Sequence, residues 1–418
     1  MRSWDVSEAW QARACSLDEA DFLRDLPSTP FAFLYGEGRW LILGEDPVLE
    51  LRDLEPGTLH MHRSGPAPAI LPDLVALAAY EHGYALDPAL PAAPALADPL
   101  PDVRLTLHRR MRVYDRTLGL LHTAVRSWPE GEGARHALGR GAFSARKTGD
   151  TEDARSYGEK VELIREAIAR GDVYQVNLTR RETWAVRGSL AELAGRLHRA
   201  NPAPYSALVA DPAWTLLSSS PECFFRIRDG RILTRPIKGT AGRHPDADLD
   251  RAAARALLAS AKDRSELAMI VDLLRNDLAR FCALPTVRVE AFPLLETYAN
   301  VHHLVADISG VLPGPFTFGS LMAALFPGGS ITGCPKLAAM ALIRELEASP
   351  RMVYTGALGW CSADLAQADF NIAIRTAWAS ATELLFGVGG GVVWDSDPAE
   401  EYLETVHKGR SLVRCLSS

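Results

Sequence analysis

CFFRIRDGRILTRPIKG, residues 223–239, decides how the rest of the chain is read. Two apolar runs flank Asp229-Gly230. An Asp-Gly pair between such runs is a favoured two-residue hairpin turn, because both residues tolerate the positive φ it needs. Pairing outward sets Arg228 opposite Arg231, then Glu222 opposite Ile237 and Lys238 opposite Pro221. Glu222 and Lys238 therefore become near neighbours. Pro221 and Pro236 interrupt ladder bonding, so the face each side chain takes stays open.

The antiparallel theme extends in both directions. VYQVNLT (173–179) alternates, with Tyr174, Val176 and Leu178 one way and Gln175, Asn177 and Thr179 the other. That strand presents an amide face. SYGEKVELIREAIARGD (156–172) carries Val161, Ile164, Ala167 and Ile168 at helical spacing, with Gly171 suited to the C-cap. One long helix is expected over about 248–282, with an apolar stripe of Leu267, Ile270, Val271, Leu274 and Leu278. Further helices are expected at 335–349, with Pro335 in the first turn, and at 397–416, where Asp397 caps and Pro398 opens. Strand-like runs such as FAFLY (31–35) and RWLIL (39–43), joined through Gly36-Glu37-Gly38, fill the N-terminal part. Helices and strands do not alternate regularly, which gives an α+β class with long antiparallel segments. The polar, glycine-bearing stretch 134–153 reads as a linker between an N-terminal region, 1–145, and a second region, 150–418.

Composition narrows the function classes. A net charge of −7 and a pI near 5.9 weigh against nucleic-acid binding, which needs a basic face. The six cysteines form no C-x-x-C pair, so neither a zinc site nor a redox dithiol is signalled. No apolar signal core opens the chain and no apolar run reaches membrane-spanning length, so a soluble cytoplasmic protein is expected.

Several side-chain groups carry two readings each. Glu401, Glu404 and Lys408 share a helical face, either as a solvated ion pair or as a metal carboxylate pair beside a binding cation. Asp263 and Glu266 form a second acidic pair, and carboxylates from two helices suit hard Mg²⁺. FGVGGGVVWDSDP (386–398) and PGGSITGCPK (327–336) imitate phosphate loops but fail the required spacing. They are either tight turns or close-approach backbone for an anion. His302 and His303, adjacent on a strand, face opposite ways and do not chelate one ion. The cysteines near these motifs, Cys223 and Cys334, are assigned to packing.

Taken together, VYQVNLTRR, SSSPE, RPIKGT, KDRSELAMIVDLLRNDLAR, GSITGCPK, YTGALGW (354–360), FNIAIRT (370–376), FGVGGG and EEYLETVHKG resemble the chorismate-utilising enzymes over about 156–416. These include anthranilate, aminodeoxychorismate, isochorismate and salicylate synthases. The resemblance implies two packed, largely antiparallel sheets surrounded by helices, as in anthranilate synthase component I, with the active site between them. It implies Mg²⁺ held by Glu266 and Glu404, with Asp263 and Glu401 beside them. Arg375, Tyr354 and Lys408 match positions that meet substrate carboxylates. Gly390, Gly391 and Thr332 complete that pocket, His303 lies near the ring, and Gln175, Gly239 and Thr240 join the binding set.

Glu222 matches the general acid that protonates the departing 4-hydroxyl, and burial would keep it protonated. Water-adding members carry a lysine where this sequence has Gln175; an amide is no base, so ammonia is the expected nucleophile. Members that make anthranilate typically carry alanine where this sequence has Lys238. A lysine there permits two successive displacements and places nitrogen at carbon 4. A nucleophilic lysine must be neutral when it attacks, which burial favours. The implied product is 4-amino-4-deoxychorismate, for p-aminobenzoate and folate synthesis; the alternative is anthranilate. No glutaminase nucleophile context appears, so a separate glutamine amidotransferase subunit is expected to supply ammonia. No fused lyase is expected, and the absence of an L-L-E-S segment implies no strong tryptophan feedback. Gly242, His244 and Cys223 depart from residues common in these motifs.

Overall fold

The computed structural model describes residues 3–17, 26–27, 30–36, 38–54, 58–94, 100–128, 138, 141–298 and 300–417. The first part of the chain forms β1 (Ser3–Ala14), β2 (Phe31–Gly36), β3 (Trp40–Leu51), β4 (Thr58–Ser64), β5 (Leu74–Ala78), α1 (His82–Ala85), β6 (Val103–Asp115) and β7 (Leu120–Arg126). Then come β8 (Ser144–Asp150), α2 (Ala154–Arg170), β9 (Gln175–Arg187), α3 (Leu190–Ala200), β10 (Tyr205–Ala210), β11 (Thr215–Ser220), β12 (Cys223–Arg228), β13 (Arg231–Arg235) and β14 (Ile237–Gly242). The middle contains α4 (Ala247–Ala259), α5 (Ala261–Ala279), β15 (Arg288–Thr297), β16 (Val301–Val311), α6 (Phe318–Leu325), β17 (Gly333–Cys334) and α7 (Lys336–Leu346). The last elements are β18 (Ala357–Cys361), β19 (Ala368–Ile372), β20 (Thr376–Ala379), β21 (Glu383–Val392) and α8 (Pro398–Ser417).

All these strands belong to one hydrogen-bonded network that branches at β6. One edge of β6 pairs with β3 along most of its length; the other pairs with β7 at one end and β5 at the other. From β3 a first arm runs through β2, β10, β11, β20 and β21 to β9. From β5 a second arm runs through β18, β19, β12, β13 and β16 to β15. Every pairing in both arms is antiparallel; β1 and β4 pair in parallel. The α+β class expected from the sequence is thus the observed one. The two sheets are arms of a single network.

The largest buried cluster joins both arms. It combines Val176 and Leu178 of β9 with Phe225 and Ile227 of β12 and Leu304 and Ile308 of β16. Tyr157, Val161 and Ile164 of α2 and Leu267, Ile270 and Leu274 of α5 pack into it. Each such side chain contributes about 1.5–3 kcal/mol by leaving water. The chain passes between the arms at two short links. Pro221-Glu222 joins β11 to β12, and residues 373–375 join β19 to β20. Hydrogen bonds tie the links together: Ile372 N–H to Glu222 C=O at 3.1 Å, Ser219 N–H to Arg375 C=O at 3.1 Å, and Ser220 Oγ to Ile372 C=O at 2.6 Å.

Three local expectations need correction. The helix expected over 248–282 is two helices, α4 and α5. Ser260 stands between them in an extended conformation and caps α5 by accepting from Asp263 N–H. A serine between alanines reads equally as helix interior or cap, and here the cap wins. Residues 144–150 of the expected linker are strand β8, paired with β9; residues 134–137, 139 and 140 lie outside the described residues. Glu37, in the turn expected between FAFLY and RWLIL, also lies outside them, while the two runs themselves pair as β2 and β3. Finally, the hairpin holds its register from Arg228–Arg231 to Arg226–Leu233, then an extra residue in β12 shifts it so that Cys223 faces Arg235. β14 leaves β12 altogether and pairs with β16. Glu222 and Ile237 are therefore not ladder partners.

The lysine of GSITGCPK has a structural task. Lys336 Nζ lies 2.8 Å from Asp277 of α5 and donates to Leu325 C=O of α6 at 3.1 Å, with both charged side chains largely buried. Lys336→Ala would strand Asp277, so a loss of about 3 kcal/mol is expected, read as a lower denaturation midpoint at unchanged m-value.

Candidate active site

The ends of the two arms meet beside α5 and α8, where Gly391 of β21 approaches Lys238 of β14, Gly239 of β14 approaches Asp263 of α5 and Gly390 of β21 approaches Glu401 of α8. From the first arm, β9 presents Gln175, which is 1% exposed and whose amide nitrogen and oxygen both lack a partner. Asn177, on the same face, donates to Ser330 C=O at 3.1 Å. The amide face expected from the alternation of VYQVNLT is present, although exposed Tyr174 precedes the strand. The glycine-rich run is strand β21, not a turn, and Gly391 lies opposite Asn177. A Cβ on Gly391 would come within 2.8 Å of Gln175 Nε2 and 3.2 Å of both Asn177 Oδ1 and Lys238 Nζ. One on Gly390 would meet Glu401 Oε2 at 3.0 Å and Glu404 Oε1 at 3.4 Å. These two glycines clear the floor on which the polar groups converge.

From the second arm comes Lys238. Its ladder partner strand is β16, with Ile237 opposite Val305 and Thr240 opposite His303, which leaves one extra residue in β14. Lys238-Gly239 is that β-bulge, and Gly239 adopts φ +80°. A bulge re-aims the side chain it carries. Here it settles the question of parity left open by the flanking prolines: Lys238 turns inward, its side chain 16% exposed and its Nζ 3.6 Å from Glu266 Oε2. Gly239 also admits α5, since a Cβ there would lie 2.8 Å from Asp263 Oδ1.

Glu222, at the link between arms, is 5% exposed. Burial pushes its carboxyl up to about 7, against the hydrogen bond from Ser330 and the nearby charges of Lys238 and Lys408. Ser330 Oγ donates to Glu222 Oε1 at 2.6 Å. His303, 1% exposed, shares a 2.9 Å hydrogen bond between its Nδ1 and Thr240 Oγ1, and its Nε2 has no partner. Burial, with Arg375 adding to it, pushes this imidazole down to about 4, so it is neutral at pH 7. Arg375, on the other link, holds φ +50° and has no carboxylate partner among the described residues. Tyr354 packs its ring where Gly387 lacks a Cβ, and burial raises its phenol.

Two of the expected residues are otherwise engaged. Thr332 is fully buried, and its hydroxyl donates to Gly328 C=O at 3.1 Å, within its own turn. Lys408 Nζ lies 2.6 Å from Glu404 and donates to Gly389 C=O at 3.1 Å, with Lys408 and Glu404 about half exposed. The acidic pairs stand on separate helices: Asp263 and Glu266 on α5, Glu401 and Glu404 on α8. Among the described residues no three such donors stand close enough to hold one ion together. Glu401 nonetheless carries a buried oxygen, Oε2, without a partner, while its Oε1 accepts from Ser396 Oγ at 2.6 Å. Burial and the neighbouring Glu404 raise its pKa. A hard cation beside Gly390 would satisfy that oxygen.

A family model described as chorismate binding enzyme matches residues 45–414. The chain belongs to the chorismate-binding enzymes. Among chorismate-binding relatives, it is 43% identical over 262 residues to aminodeoxychorismate synthase component 1 of Klebsiella aerogenes, covering 63% of this chain and 58% of that one. It is 41% identical over 262 residues to an anthranilate synthase component 1 of Haloarcula marismortui, covering 62% and 53%. The chain thus spans little more than half the length of these relatives. Anthranilate synthase component I from Streptococcus pneumoniae shares the chorismate-binding fold, with a TM-score of 0.71 at 24% identity over 97% of this chain and 92% of that one. No helix among the described residues is long and apolar enough to cross a membrane.

Ser330, which the sequence alone did not single out, joins Glu222 to Asn177 of the expected amide face. Ser330 lies in GGSITG, whose likeness to a phosphate loop draws attention to backbone amides and not to a hydroxyl.

Proposed function

We propose that the chain is the chorismate-aminating subunit of an aminodeoxychorismate synthase. The observation that carries this reading is the inward turn of Lys238 at a bulge, which places an amine where Gln175 offers no base. Arg375 and Tyr354 would meet substrate carboxylates, with Gln175 and the Gly390-Gly391 floor orienting the ring. His303, neutral, would lie against the ring edge. Lys238 Nζ forms a bond to ring carbon 2; both ring double bonds shift by one position, and the bond from carbon 4 to its hydroxyl oxygen breaks. Glu222, whose carboxyl burial holds up to about 7, gives its proton to that oxygen, which leaves as water. Ammonia then bonds to carbon 4, the double bonds return, and the carbon 2–Nζ bond breaks. Once bonded, Nζ returns a proton to Glu222, and the proton shed by the incoming nitrogen passes to the departing amine, so acid and lysine end as they began. Glu266 and Glu404, with Asp263 and Glu401, would hold Mg²⁺, which supplies charge neutralisation for the ring carboxylate.

The ammonia source would be a separate glutamine amidotransferase subunit, in keeping with the "component 1" in the relatives' name. A second reading, amination at carbon 2 to give anthranilate, is favoured by the nearly equal identity to the Haloarcula marismortui protein. Chorismate, ammonium and Mg²⁺, with products resolved by mass spectrometry, separate the two. 4-Amino-4-deoxychorismate is the expected product. Anthranilate would replace the first reading by the second, and unchanged chorismate would overturn both.

A further inference from the structure

Glu222 has two carboxyl oxygens with unequal surroundings. Oε1 takes the Ser330 hydroxyl at 2.6 Å, and Oε2 takes no hydrogen bond from the described protein. Ser330 itself is held from several sides. Its carbonyl accepts from Asn177 Nδ2 at 3.1 Å, and it sits in the short 3₁₀ turn Gly329–Ile331. A Cβ on Gly328 would lie 2.5 Å from Ile372 Cδ1, and one on Gly329 would lie 2.7 Å from Leu273 Cδ2. The turn is therefore pressed against β19 and α5. The same β19 residue, Ile372, donates its N–H to the Glu222 carbonyl. Carboxyl and hydroxyl are thus referenced to one piece of backbone.

We infer that Ser330 is a positioning residue for the acid: its hydroxyl occupies Glu222 Oε1 and so confines the transferable proton to Oε2, the oxygen left for the substrate. In a protonated carboxyl the carbonyl oxygen accepts far better than the hydroxyl oxygen, so a hydroxyl that donates to Oε1 favours the proton on Oε2. Donation also favours the ionised carboxyl, and it is the largest influence opposing burial at this group. Without it Glu222 would hold its proton more tightly and present it from either oxygen. This role rests on the proposed acid function of Glu222, but the hydrogen bond can be tested apart from it.

The carboxyl of Glu222 is followed directly by ¹³C NMR of glutamate-labelled full chain, with Glu222→Gln identifying its signal, in the wild type, Ser330→Ala and Ser330→Thr. In Ser330→Ala the Glu222 titration is expected to move up by roughly one pH unit, the size of one lost charge-assisted hydrogen bond. Ser330→Thr, which keeps the hydroxyl, is expected to restore it. In turnover with chorismate and ammonium, Ser330→Ala should lower kcat about tenfold with little change in KM, and the high-pH fall of its rate should move upward with the NMR titration. An unmoved titration in a folded Ser330→Ala protein overturns the positioning role. A titration that moves while the pH–rate profile does not leaves the hydrogen bond intact but removes Glu222 from the chemistry, which is a failure of the proposed function instead.

Discussion

Lys238→Ala is expected to lower formation of 4-amino-4-deoxychorismate by at least about a thousandfold. Removing a covalent nucleophile removes a route and not merely a contact. The alanine also deletes the cation 3.6 Å from Glu266, so the variant's chorismate KM should be measured to separate lost binding from lost chemistry. The decisive accompaniment is trapping. With chorismate and Mg²⁺ but no ammonia, the wild type should accumulate a ring adduct on the peptide containing Lys238, and the variant should not. A variant that makes the same product at the wild-type rate, with no adduct in the wild type, would reduce Lys238 to a bystander charge. Should the variant release anthranilate, its site still supports a single displacement by ammonia, and position 238 decides where nitrogen ends.

Glu222→Gln is expected to cost about a hundredfold to ten-thousandfold in kcat, the range supplied by a positioned acid. The amide keeps the shape and accepts from Ser330, yet has no proton to give a departing hydroxide. The wild-type pH dependence follows from the carboxyl held at about 7 by burial. Below that pH the acid carries its proton, and above it the rate should fall; Glu222→Gln should lose this fall. The same group bears on stability. Its folded pKa is raised above the ordinary glutamate value, so its contribution to stability is fullest at low pH and is lost as the pH rises through about 7. Glu222→Gln should therefore be at least as stable as the wild type at pH 8 by thermal or denaturant unfolding.

Sequence carried the periodic parts of the fold well. The stripe of Leu267, Ile270, Val271, Leu274 and Leu278 is buried as its spacing implies, and Gly171 caps α2 with φ +80°. It also placed Glu222 near Lys238, but by the wrong route. An ideal ladder was extended through Pro221 and Pro236, whereas β12 and β14 each carry an extra residue and β14 changes partner. Bulges depend on what a strand must approach in three dimensions, here Asp263 against Gly239, and leave no periodic trace. Thr332, a polar residue in a conspicuous motif, donates its hydroxyl within its own turn, a local partner that spacing does not announce. Glu404 and Lys408 pair at the surface as the plainer reading of their spacing allows, while Glu401 beside them keeps an unanswered buried oxygen.

The two links between the arms have an implication for how this architecture tolerates change. Glu222 and Arg375 stand on segments of two and three residues, laced together by hydrogen bonds from Ile372, Ser219 and Ser220. In an ordinary hairpin an inserted residue bulges into solvent. At either of these seams it would have to slide one sheet past the other, dragging a whole packed interior with it. An added residue is thus far easier to absorb in the outer loops than at these seams.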